Sequence, residues 1–102
     1  MAEWSGEGFL GSEIVRLEGE ILVQAGRGQE ARKCFEAALE EARQAQLHAL
    51  ELRAAASLAR LWASRSEPGT ARDVLLPVLS RFTEGDNTAD IRGARAQLAS
   101  IA

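Results

Sequence analysis

The chain has 102 residues, of which 46% are hydrophobic and 26% charged, and its formal net charge is −3 at pH 7. That length suits one small domain with a modest core, and the acidic balance excludes the basic face that nucleic-acid binding needs, although eleven of the twelve cations are Arg. One cysteine excludes an internal disulfide framework, and no apolar run approaches a membrane span in length.

Met1 to Gly11 carries three glycines and no helical period, which predicts a flexible lead-in over 1–11. Ser12 is placed to cap a first helix that runs to about Ala25, with Ile14, Leu17, Ile21 and Leu22 on its buried side. Gly19 stands mid-helix at a cost of about 1 kcal/mol against alanine, so close packing of another helix is expected there. Gly26-Arg27-Gly28 turns the chain. Gln29 to Ala45 then places Ala31, Cys34, Phe35, Ala38, Leu39 and Ala42 on one helical stripe. A turn is predicted around Gln44 to Leu47. A third helix, about His48 to Ser64, buries Leu50, Ala54, Leu58, Leu61 and Trp62. Pro68 suits a first helical position. The fourth helix buries Ala71, Val74, Leu75, Val78, Leu79 and Phe82, and Pro77 should kink it or end it early. Thr88 or Asn87 caps a last helix bearing Ile91, Ala94, Leu98 and Ile101.

Laid on itself at a shift of forty, the chain matches small residues with small and large with large. Gly19 meets Ala59, Leu22 meets Trp62, Ala31 meets Ala71, Phe35 meets Leu75, Ala38 meets Val78 and Leu39 meets Leu79. The unit is therefore a helix pair. The domain is expected to hold repeat 1 at about 12–46, repeat 2 at about 47–82 and a closing helix at about 88–102, an all-α chain of two helix pairs plus one helix.

Gly19-x-x-Leu22 followed by Ala31-x-x-x-Phe35, and Ala59-x-x-Trp62 followed by Ala71-x-x-x-Leu75, resemble the tetratricopeptide repeat (TPR) pattern. The resemblance implies a TPR-like α-α superhelix. The period departs from the family, being forty residues rather than thirty-four, and HEAT-like pairs are the structural alternative. The runs RLEGEIL, ELRAAASLARLW and RFTEGDNTADI are similar to the C-terminal TPR region of large bacterial regulatory ATPases, which often carry a nucleotide cyclase or a helix-turn-helix regulator. This chain has no phosphate-binding Gly-Lys-Ser/Thr loop, so the resemblance implies the interaction tail alone, in a reducing cytoplasm.

The same resemblance implies a concave groove lined by the first helix of each pair, at Glu13, Arg16, Glu20, Val23, Gln24, Arg53, Ala56, Arg60 and Ala63. A protein or peptide would bind there, and Arg16, Arg53 and Arg60 suit an acidic ligand. The expectation is a signalling scaffold. The alternative is a self-assembly module, a possible homodimer with Trp4, Phe9 and Leu10 at an uncapped end, or a sensor tail. Catalysis is not expected, because no nucleophile and base, carboxylate pair or metal set is arranged for it. His48 is alone, and Cys34 reads as a small core residue. No cofactor, metal, nucleic acid or membrane is expected.

Overall fold

Regular turns set the architecture. The computed structural model describes residues 8–82 and 88–101, with only the backbone for residues 8–10. Every regular element among these residues is a helix: α1 Gly8–Gln24, α2 Gly28–Gln44, α3 His48–Ser64, α4 Pro68–Leu79 and α5 Ala89–Ile101. The first three are each 17 residues long. Between them and α4 stand three-residue turns whose middle residue is left-handed: Gly26 at φ 78°, Gln46 at φ 59° and Ser66 at φ 63°. In each turn the following N–H reaches back to a carbonyl five residues earlier. Arg27 N bonds Leu22 O at 2.9 Å, Leu47 N bonds Ala42 O at 2.9 Å, and Glu67 N bonds Trp62 O at 3.0 Å. A second bond joins each left-handed residue to the carbonyl three before it. This is Schellman closure, which satisfies the last carbonyls of one helix while reversing the chain. The forty-residue sequence repeat is thus two helix-and-turn units of twenty.

Consecutive helices pack as neighbours, and α1 also touches α3, as α3 touches α5. Helices α1, α3 and α5 therefore form one layer, with α2 and α4 forming the other. The thinnest extent, 19 Å, is that of two helices stacked. Between the layers Ala31, Phe35, Leu58 and Leu61 form one cluster. Leu52, Ala55, Ala59, Ala71, Leu75, Val78, Leu79, Ile91 and Ala94 form the other. The repeat partners Ala31 and Ala71, Phe35 and Leu75, and Ala38 and Val78 are all buried. A Cβ on Gly19 would lie 2.5 Å from Phe35 Cε1, so the mid-helix glycine leaves the room on α1 that the Phe35 ring of α2 fills.

Several local expectations are corrected. Helix α1 begins at Gly8, so residues 8–11 are helical and Ser12 is not a cap. Ser12 is buried, and its hydroxyl donates to Ala38 O at 2.9 Å, tying α1 to α2. Gly11 is buried beside it. Leu17 and Ile21, expected inside, are 48% and 67% exposed. Helix α1 turns its small residues, Ser12 and Gly19, to α2, because close approach there buries Phe35 and Ala31. The Leu17 side is left facing out. Trp4 lies outside the described residues; Phe9 and Leu10 lie in the first turn of α1.

Helix α4 is 12 residues long and ends at Leu79, two residues past Pro77, which supplies no N–H to the ladder. Pro68 opens α4. Thr88 caps α5, its hydroxyl accepting from Ile91 N at 3.3 Å.

Candidate partner-binding groove

The layer of α1, α3 and α5 carries a lattice of charges. Arg16 of α1 donates to both oxygens of Glu13, at 3.2 and 2.7 Å. Its Nη1 also donates to Ser57 Oγ at 3.3 Å, and Glu20 lies 3.6 Å away. Ser57 is buried on α3 and donates in turn to Glu20 Oε2 at 2.7 Å. Arg53 of α3 bridges two helices, giving Nη1 to Glu13 at 3.4 Å and Nε to Asp90 of α5 at 3.0 Å. Arg60 gives Nη2 to Glu20 at 3.5 Å. The hydrogen bond from Arg16 holds the Glu13 carboxyl below its ordinary range against the opposing effect of burial, and the charges of Arg16 and Arg53 add to it. The same bond raises Arg16.

Glu13 and Arg53 are repeat partners at a separation of forty, as are Glu20 and Arg60. Equivalent positions on neighbouring helices face each other across the layer, and the sequence has inverted their charge. The α1–α3 seam is therefore closed by paired ions. On α5 the next equivalents are Gly93 and Ser100, which carry no charge. There a cleft of about 360 Å³ opens, lined among others by Arg53, Ala56 and Arg60 of α3 and by Asp90, Gly93 and Gln97 of α5. Gln97 closes one side by donating to Ala56 O at 2.9 Å. A smaller recess of about 90 Å³ lies between Glu20, Val23, Ser57, Arg60 and Ser64.

Of the residues expected in the groove, Arg16, Arg53, Ala56 and Arg60 line the larger cleft. Glu20 and Val23 line the recess, and Glu13 joins the lattice. Gln24 and Ala63 are exposed and line neither. Ser57, Asp90 and Gln97 were missed. The shift of forty that aligns Ser57 with Gln97 could have marked those two, since both are polar at a position where α1 has Leu17.

A second polar cluster lies at the other end of α3. Glu51 is 1% exposed, and its Oε2 accepts from Arg81 at 2.7 Å and from Arg43 at 3.4 Å. His48 Nδ1 stands 3.8 Å from Oε1. One carboxylate thereby joins α2, α3 and the chain just beyond α4. Cys34 is half-buried, and burial, with Glu18 and Glu30 nearby, pushes its thiol up, away from the thiolate. Among the described residues no group of three or more His, Cys, Asp or Glu could hold a metal ion. No helix among them is long and apolar enough to cross a membrane.

Comparison with protein-family models, curated proteins and solved structures finds no match to the chain.

Proposed function

We propose that this chain is a non-catalytic protein-interaction scaffold, a TPR-like helical repeat that takes a peptide or a partner's surface in the groove of α1, α3 and α5. The observation that carries the reading is the cleft between α3 and α5. It lies on the layer made by the first helix of each pair, and two arginines reach it from α3. Arginine is suited to such a site because its planar fork holds carboxylates in fixed geometry. Panning a random-peptide library against the whole chain, followed by NMR shift mapping of the selected peptides, tests the reading. Shifts at Arg53, Ala56, Arg60 and Gly93 are expected. Shifts confined to α2 and α4 overturn it.

A second reading rests on the outer face of α1. Leu17 and Ile21 are large, apolar and exposed one turn apart, which suits self-association. The expected apolar residues Trp4, Phe9 and Leu10 precede them. Light scattering over a dilution series decides this: a dimer that Ile21→Glu dissociates supports it, and a monomer at every concentration overturns it. Either reading fits the cytoplasmic tail of a larger bacterial regulatory ATPase.

A further inference from the structure

We propose that copies of this chain join head to tail, with α1 of one copy packed on the outer side of α5 of another, so that Leu17 of the first seats over Gly93, Ala96 and Ser100 of the second. The proposal rests on the self-association reading above and names the surface that α1 meets.

The two seams inside the layer share one register. Arg16 of α1 donates to Ser57, 41 residues on, and Ser57 donates to Glu20, 37 residues back. Arg53 of α3 donates to Asp90, 37 residues on, and Gln97 donates to the carbonyl of Ala56, 41 residues back. Ser57 and Gln97, forty apart, are thus the residues that α3 and α5 send into the helix before them. Forty residues before Ser57 stands Leu17. Leu17 and the neighbouring Ile21 are exposed, because among the described residues α1 packs on α2 and α3 alone. Helix α1 therefore presents an entering residue on the side where the layer ends.

The opposite edge of the layer carries the receiving positions. On α1 these are Glu13, Arg16 and Glu20, and on α3 they are Arg53, Ala56 and Arg60. On α5 they become Gly93, Ala96 and Ser100, all exposed, with nothing within 4 Å of a Cβ added at Gly93. In the register of the inner seams, Leu17 of an incoming copy falls between Ala96 and Ser100, as Ser57 falls between Arg16 and Glu20. A large apolar side chain then meets small ones, where the α1–α3 seam matches charge with charge. Small residues at such a contact let helix axes approach to about 8 Å.

Charge favours α5 over a second α1 as the partner. An antiparallel α1 pair that sets Leu17 on Ile21 also sets Glu18 against Glu20, twice by symmetry, and like charges beside an apolar seam oppose pairing. Helix α1 holds three Glu and one Arg, whereas α5 holds two Arg and one Asp. That Asp90 is held by Arg53 of its own chain. The contact joins two different surfaces, so each added copy offers a fresh edge and the assembly has no built-in stop at two.

One helix face is small beside a standard interface, so light scattering of the whole chain over a dilution series reaching about 1 mM tests this. The mean mass is expected to climb with concentration and not to level at a dimer. Leu17→Glu disables one face and Ala96→Glu the other, and each alone is expected to weaken association at least about tenfold. Mixed together, the two variants keep one intact contact, Leu17 of the Ala96→Glu chain on α5 of the Leu17→Glu chain. The mixture is expected to form a one-to-one pair and grow no further. Ile21→Glu and Ser100→Glu serve in their place if either variant fails to fold. A mixture that stays monomeric overturns the proposal. A mass that levels at a dimer and ignores Ala96→Glu also overturns it, but leaves self-association through α1 standing. A wild-type monomer at every concentration overturns both.

Discussion

Gly19→Ala is the sharpest test of how the two layers fit. In an open helix this change stabilises by about 1 kcal/mol. Here the new methyl would meet Phe35 Cε1 at 2.5 Å and Cδ1 at 2.8 Å. Ordinary contact begins near 3.4 Å, so the ring or the helix must retreat by about 1 Å. Phe35 is 1% exposed, and the recess beside it is a small one of about 90 Å³. Overpacking of this kind costs about 1–3 kcal/mol. We expect a net loss of up to about 2 kcal/mol, read by urea unfolding, and a Tm lower by up to about 15 °C. The second repeat supplies the cure, because it places Ala59 and Leu75 at the equivalent positions, both fully buried. Phe35→Leu alone should cost about 1–2 kcal/mol, and the Gly19→Ala/Phe35→Leu double variant should recover at least about 1 kcal/mol of the summed loss. A Gly19→Ala chain that unfolds at higher urea, or a cycle additive within about 0.5 kcal/mol, refutes the close-approach account. Gly93→Ala is the control: it sits mid-helix in α5 with nothing within 4 Å of the new methyl, and should gain about 1 kcal/mol.

The turns, the buried carboxylate and the ion lattice each give a further test. Gln46→Gly and Ser66→Gly relieve left-handed backbone and should each raise stability by about 1 kcal/mol in urea melts; a loss at either site contradicts the turn geometry. Glu51→Ala removes a carboxylate that gathers Arg43 and Arg81. Both arginines are about half exposed and recover hydration, so the cost should be about 2 kcal/mol, below that of breaking a fully buried pair. Unchanged urea midpoints would show that the cluster contributes nothing. Glu13 has its folded pKa lowered from 4.5, so its contribution is complete above that value and disappears as pH falls through the folded pKa. Urea midpoints should fall as the pH drops below about 4.5, and Glu13→Gln should reduce that fall; an identical acid limb in the variant refutes the assignment.

Much of the fold was legible because its signals are local or periodic. The Ala31, Phe35, Ala38, Ala42 stripe is a property of one helix, and all four residues are buried. Gly19 betrayed close packing because glycine mid-helix is costly. Helix α1 was misread on its face and its start because the deciding interactions are made with another helix. Ser12 looks like a cap until Ala38 O is beside it, and Leu17 and Ile21 look like core until α2 claims the small-residue face instead. Arg53, Ala56 and Arg60 were placed on one face by repeat position, and all three line the α3–α5 cleft. Asp90 and Gln97, which line the same cleft, were not singled out, because α5 was read as a closing helix and no residue on it was assigned to the groove.

The twenty-residue unit joins these points. With a left-handed residue at 26, 46 and 66, every second helix repeats the register of the one two before it, so residues forty apart become lateral neighbours. Charge inversion between such neighbours, Glu13 to Arg53 and Glu20 to Arg60, staples α1 to α3 without using the core. The same register turns Leu17 into Ser57 and Ile21 into Leu61. On α3 those positions are buried beneath neighbouring helices; on α1 they are exposed. One periodicity thus accounts for three features: a seam closed by two ion pairs between α1 and α3, a cleft between α3 and α5 where the equivalent residues Gly93 and Ser100 carry no charge, and an apolar face on α1 at the positions that α3 keeps inside.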